Sequence, residues 1–304
     1  MNTNIKLTLA LLFSIITFSS LSAQQKLPKL LLRLDDIGMC HSVNMAAEKF
    51  AQTGMPFSAS VQFACPWYQE AVRILKRYPN VSVGVHLTLT SEWRDYRWGP
   101  INGRSAVPSL VDAVGYFPHS TSDFAKNGYK LADVETELSA QIERALHSGL
   151  KITYIDPHMG VALSTPALRA LTEKLALKYH LAISPLSDVT YNNETYMEMW
   201  GEPVITKKQA FLNYVANKLN PNRPNLVVIH VATPSPEMDA LFDMNSSMMN
   251  TKEGKPLTSI HRQTELNMLL SPEFKQLVGK KFTLSNYQEM IKGKDISKLK
   301  AVKG

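Results

Sequence analysis

Apolar positions in this chain fall into two alternating patterns. Short runs with little polar interruption cover residues 30–34, 58–63, 81–89, 152–155, 181–184 and 226–231. Runs of that length without period-two alternation read as strands buried on both faces. Between them, apolar residues recur every three or four positions, which predicts helices over 42–52, 67–78, 133–147, 166–179 and 207–219. The clearest is 133–147, where Val134, Leu138, Ile142 and Ala145 share one face and Gly149 follows the end. A helix fragment at 264–270 and a last strand at 282–284 before a terminal helix complete the series. Strands alternating with helices imply parallel pairing. Six or seven such units in roughly 280 residues favour a (β/α) barrel over an open sheet, and in a barrel the chemistry collects at the C-terminal ends of the strands. Residues 91–130 lack periodicity, are rich in Gly, Pro, Asn and Ser, and read as a functional loop or lid.

The first 23 residues have another character. Lys6 precedes an apolar run over 7–18, and Leu21-Ser22-Ala23 then offers a small-residue cleavage site before Gln24. This is the pattern of a signal peptide, and the run is too short for an ordinary membrane span. An uncleaved anchor is the other reading. The expectation is an exported protein, periplasmic or secreted, whose mature chain 24–304 is a single domain with no membrane span. In an oxidising compartment Cys40 and Cys65 are either a disulfide worth about 3 kcal/mol or two buried thiols, and the sequence leaves both open. A net charge of 33 − 26 = +7, scattered apart from a lysine-rich tail, gives no nucleic-acid footprint. With 44% apolar and 19% charged residues, the chain is not a disordered one.

Polar residues gather where a barrel would place its chemistry. The first strand runs into Asp35 and Asp36, the third carries His86, the fourth runs into Asp156 and His158, and the sixth into His230. Adjacent carboxylates are costly in a low-dielectric site unless a cation offsets them. One Asp with two His leaves coordination positions for water and substrate, and a second Asp could then act on that water. Each residue also has a plainer reading: a turn or helix cap at Asp35-Asp36, a turn at Asp156-Pro157 and a hydrogen-bonded core histidine at His86, while His230 alone is unremarkable. Among the described motifs of catalysis, no G-x-S-x-G elbow and no G-x-G-x-x-G turn is present.

The segments LRLDDIGMCHSVNMA, GVHLTLT, YIDPHMG and VVIHVATP, in that order, resemble the motifs NADDFG-S-VN, G-HL-LT, DSHxH and HPG of the YdjC-like (ChbG/HpnK-type) carbohydrate deacetylases. HRQTELNML resembles that family's closing R-x-x-E stretch, so the likeness runs from about residue 30 to 284. The resemblance implies a distorted TIM-type (β/α) barrel with parallel strands, and a hydrolase that removes acetyl from a small N-acetylated saccharide. It implies one divalent metal ion, zinc or magnesium, held by Asp36, His86 and His158. Asp35 is then the general base, His230 an acid or electrostatic partner, and Asp156, Arg262 and Glu265 the supporting shell; an ordinary ion pair on a helix is the alternative for the last two. The chain departs from the motifs at Arg33-Leu34, at Gly160 and at Val231-Ala232, which spares the three ligands and alters the pocket around them. SEWRDYRWGP supplies Trp93, Arg94 and Trp98 as sugar-binding candidates, or as a packed loop anchor. A metal-dependent hydrolase of another ester bond and a non-catalytic carbohydrate-binding protein using that aromatic loop are the competing functions.

Overall fold

The computed structural model describes residues 27–184, 186–188, 195–251, 253–296 and 299–301. The expected leader 1–23 and its cleavage site lie outside the described residues.

Strand β1 (Lys29–Ile37) is the centre of the molecule. Its run of leucines is buried on both faces, as continuous apolar composition requires. One edge pairs with β8 (Asn225–Ile229). The other is shared between β2 (Ser58–Val61) and the short β9 (Thr283–Ser285). Outward from β2 come β3 (Ser82–Leu87), β4 (Ile152–Pro157) and β5 (Ala182–Ile183), while β7 (Thr195–Glu198) flanks β8. Every pairing in this sheet is parallel, in the order β5-β4-β3-β2-β1-β8-β7. The sheet is the curled wall of a distorted (β/α) barrel, with no β5–β7 pairing among the described residues. Strands β6 (Leu186–Asp188) and β10 (Leu299–Ala301) form a separate antiparallel pair.

The helices return the chain between strands. They are α1 (His41–Ala51), α2 (Tyr68–Leu75), α3 (Thr121–Lys126), α4 (Leu131–Leu146), α5 (Pro166–Lys178), α6 (Val204–Asn217), α7 (Pro236–Asp239), α8 (Thr258–Leu270), α9 (Pro272–Leu277) and α10 (Tyr287–Met290). In α4 the predicted stripe of Val134, Leu138, Ile142 and Ala145 is fully buried. Helix α8 begins six residues before the predicted fragment, so Arg262 and Glu265 lie one turn apart on a single buried face.

The 91–130 segment is not an open lid. Trp93, Trp98, Val107, Leu110, Phe117 and Phe124 are buried, and Glu137 on α4 accepts the backbone N–H groups of Ile101 and Asn102. Its lack of periodicity reflects a connection packed through turns, with only α3 and one 3₁₀ turn inside it.

Gly84 on β3 lies close against the ring of Tyr154. A Cβ there would sit 2.4 Å from the Tyr154 ring, which is itself wedged against Tyr287 at 4.4 Å between centroids. Gly84→Ala is expected to destabilise the protein by about 1–3 kcal/mol, the usual cost of overpacking. Thermal unfolding measures it, and an unchanged Tm would contradict the packing described.

Candidate metal and catalytic centre

Two adjacent aspartates on a regular strand would point to opposite faces. A bulge resolves the conflict. Arg33 and Leu34 pair with Ser58 and Ala59, but Ile37 pairs with Val61, so Asp35 and Asp36 together oppose one residue of β2. Asp36 takes a left-handed φ of 63°. A non-glycine residue there costs on the order of 1 kcal/mol or more, held by its surroundings. The bulge brings both carboxylates to one cavity of about 490 Å³.

Asp36 Oδ1, His86 Nε2 and His158 Nδ1 converge at the floor of that cavity. The separations are 3.5 Å from Asp36 to His86, 3.3 Å from Asp36 to His158 and 3.2 Å between the two nitrogens. They arrive from the ends of β1, β3 and β4. Each imidazole is oriented by a carboxylate on its far side. His86 Nδ1 lies 2.6 Å from Asp156 Oδ2, its register partner on β4. His158 Nε2 lies 2.9 Å from Glu92 Oε2. With those nitrogens donating, Nε2 of His86 and Nδ1 of His158 present lone pairs to Asp36. Three acceptors then face one point, which is the arrangement a cation satisfies. Ligands about 2.0–2.1 Å from a common ion stand about 3.3 Å apart in a tetrahedron, so the spacing fits.

Charge points the same way. Asp35, Asp36, Glu92 and Asp156 are buried beside the triad, and Arg33 and Arg262 are the buried guanidiniums paired with them. These four carboxylates outnumber the two guanidiniums, and Asp243 lines the same cavity, so the site carries an excess of negative charge that favours a cation. Without an ion the histidines take up protons. Burial works against this, but the carboxylates outweigh it and push His86 up to about 10 and His158 up to about 9. Burial likewise opposes ionisation of Asp36, and Arg262, with Nη2 at 2.5 Å from Oδ2, holds that carboxyl well below its usual range.

Asp35 stands apart from the triad, with Oδ2 3.9 Å from His86 Nε2. Arg33 grips it with two bonds of 2.7 Å, Nε to Oδ1 and Nη2 to Oδ2. The departure at Arg33 therefore places a fixed guanidinium on Asp35.

His230 follows β8 and lines the same cavity, its ring 4.8 Å from that of Trp200. Burial lowers it to about 3, so the imidazole is neutral at physiological pH. Its Nδ1 is buried and unpartnered among the described residues. Its backbone N–H donates to Glu265 Oε2 at 2.6 Å, and Glu265 Oε1 receives Lys207 Nζ at 2.5 Å. Arg262 and Glu265 thus pair with Asp36 and Lys207, not with each other. Lys207 and Glu265 are both fully buried. Breaking such a pair from one side costs about 3–5 kcal/mol. Lys207→Met is expected to lose that amount in chemical denaturation, and adding Glu265→Gln is expected to restore most of it. A double variant as unstable as the single one would contradict the pairing.

The aromatic loop sits differently from the sugar-binding expectation. Trp93 is fully buried with its N–H toward Met39 Sδ, and Trp98 is buried with its N–H donated to the Thr90 carbonyl. Neither indole face is open to a sugar; both anchor the loop because their apolar area packs in the main core. Arg94 is exposed, pairs with Asp95 and lies over Phe242, outside the cavity lining. The aromatic wall of the cavity is Trp200, with polar groups from Asp243, Asn245 and Ser246. Burial pushes Asp243 up to about 6. None of these four stood out in the sequence, because each lies in an irregular connection without a motif. Glu92 was visible only as part of the aromatic loop. Cys40 and Cys65 are free thiols, and Cys65 Sγ donates to Gln62 Oε1 at 3.0 Å.

The family model of the YdjC-like proteins matches residues 29–280, and the chain belongs to that family. A carbohydrate deacetylase of Enterococcus faecalis is 26% identical over 272 residues, covering 86% of this chain and 98% of that one. A carbohydrate deacetylase of Geobacillus stearothermophilus is 34% identical over 158 residues, 51% of this chain and 59% of that relative. A crystal structure from Enterococcus faecalis V583, described as a candidate cellobiose-phosphate cleavage protein, superposes with a TM-score of 0.67 at 23% identity. It covers 87% of this chain and 99% of its own.

Proposed function

We propose that this protein is a metal-dependent hydrolase that removes acetyl groups from an N-acetylated saccharide. The observation that carries the proposal is the convergence of Asp36, His86 and His158 at 3.2–3.5 Å, with the tethered Asp35 beside them and a cavity above. The names of the relatives support the saccharide and the acetyl group. Asp36, His86 and His158 are the metal ligands in this reading. A divalent cation held by them would supply Lewis-acid polarisation of the amide carbonyl and lower the pKa of the attacking water.

The chain's own residues do the rest. Asp35 takes the proton of the attacking water. Arg33 holds its carboxylate in place and keeps it from competing for the cation. His230, neutral at working pH, donates an N–H toward the oxygen on which negative charge develops. Because a neutral imidazole is a poor acid, the proton held on Asp35 is the one returned to the departing amine. Glu265 fixes the backbone of His230, and Arg262 fixes the second oxygen of Asp36. The Trp200 face and the side chains of Asp243 and Asn245 supply stacking and hydroxyl contacts for a sugar ring. With Trp93 and Trp98 buried, a binding protein built on the aromatic loop loses its basis.

The leader-like first 23 residues support export as part of this reading. The test of function is a screen for acetate release from N-acetylated and O-acetylated saccharides, with and without chelator. Release from N-acetyl substrates, abolished by chelation, is expected. Release only from O-acetyl substrates would replace the amide reading by an ester one.

A further inference from the structure

Gln62 is a buried polar residue that the mechanism does not use. It follows β2, is fully buried, and is outside the lining of the catalytic cavity, so it stands behind the three ligands. Its amide nitrogen lies 2.8 Å from Asp36 Oδ1 and 3.2 Å from His158 Nδ1. Those are the two lone pairs that a bound cation claims. An N–H group held between them has lost its acceptors once the ion is present, and its positive edge faces the ion. Turning the amide by half a rotation exchanges nitrogen and oxygen with almost no change of shape. The other end tolerates the exchange. Cys65 Sγ, 3.0 Å from the present Oε1, donates to an oxygen or accepts from an N–H, since a thiol does both.

We propose that Gln62 is a fourth protein ligand of the cation, through its amide oxygen, on the closed side of the site. The proposal rests on the functional reading above. The distances favour it. In a five-coordinate site with bonds of about 2.0 Å, in-plane ligands stand about 3.5 Å apart and an axial ligand about 2.8 Å from them. The three ligands are separated by 3.2–3.5 Å, and the Gln62 amide stands 2.8 and 3.2 Å from two of them. Gln62 behind the plane leaves the position in front, toward the cavity, for water and substrate. A set of two oxygens and two nitrogens plus that open position selects an ion that accepts five or more ligands, which zinc, cobalt and manganese do.

Two substitutions decide between a ligand and a mere hydrogen-bond donor to Asp36. Gln62→Leu removes both functions. Gln62→Glu keeps an oxygen ligand and removes the donor. Binding of zinc and cobalt alone, by competition titration at pH 7.5, is the readout, together with the visible spectrum of the cobalt form. The expected result is zinc affinity at least 10-fold weaker in Gln62→Leu, an altered cobalt spectrum in that variant, and affinity equal to or above the parent's in Gln62→Glu. Affinity that falls 10-fold or more in Gln62→Glu, or a cobalt spectrum unchanged in Gln62→Leu, would overturn the proposal. Should the leucine variant fail to fold, the glutamate variant alone decides. A parent chain that binds no cation would instead sink the functional reading itself.

Discussion

Asp35→Asn is expected to lower kcat for acetyl release by about 10²–10⁴-fold, the usual contribution of a positioned general base. The substitution keeps the side chain's shape and removes its basicity. The Asp35 carboxylate stands 3.9 Å from His86 Nε2 and is held by Arg33, so cation affinity is expected to stay within a few fold of the parent's. The variant also loses one of the two bonds to Arg33, because an amide N–H faces a guanidinium N–H. A hydrogen bond to a charged partner contributes about 1.5–3 kcal/mol, so some loss of Tm is expected and the assay belongs well below it. Steady-state kinetics beside a zinc titration separates the two effects. A variant retaining a tenth or more of parental kcat would remove Asp35 from the role of base.

Loss of the cation is expected to be the larger effect. Chelation, or Asp36→Asn, should bring acetate release to background. Asp36 touches both imidazoles through Oδ1 and Arg262 through Oδ2. The same geometry dictates a pH response. His86 and His158 are raised to about 10 and about 9 in the cation-free protein. Their folded values lie above the unfolded value near 6.5, so their contribution to stability is complete below about pH 6.5 and is lost as pH rises through 9–10. Cation binding must displace those protons. Near pH 7.5 it is expected to release about two per ion, and affinity should climb steeply as pH rises. Calorimetry in two buffers of different ionisation enthalpy reads the number. Binding without proton release would mean that the ion is held elsewhere.

Much of this site was legible in the sequence because its three converging residues sit at ends of strands that announce themselves. Continuous apolar runs located β1, β3, β4 and β8, and the polar residues at their ends came together as the barrel arrangement requires. Period and composition do not encode a bulge, so the sharing of one face by Asp35 and Asp36 emerged only from the register shift against β2. Long-range partners were hidden for a similar reason. Glu92 reaches His158, and Lys207 reaches Glu265 across 58 positions, with no local signal in either case. The aromatic loop misled because Trp93 and Trp98 look alike in sequence whether they face a sugar or a core; packing of residues 91–130 against α4 decided it. Helix α8 is longer than the predicted fragment since His261 and Arg262 interrupt its apolar stripe yet are buried, Arg262 in an ion pair with Asp36.

Element analysis of the purified parent chain beside Asp36→Asn, on samples shown to be folded, tests the central claim most directly. The account predicts about one divalent ion per parent chain and, in the variant, a loss of 10-fold or more in affinity with acetate release lost in step. Equal metal content in the two proteins, or full activity in a parent stripped of metal, would contradict it.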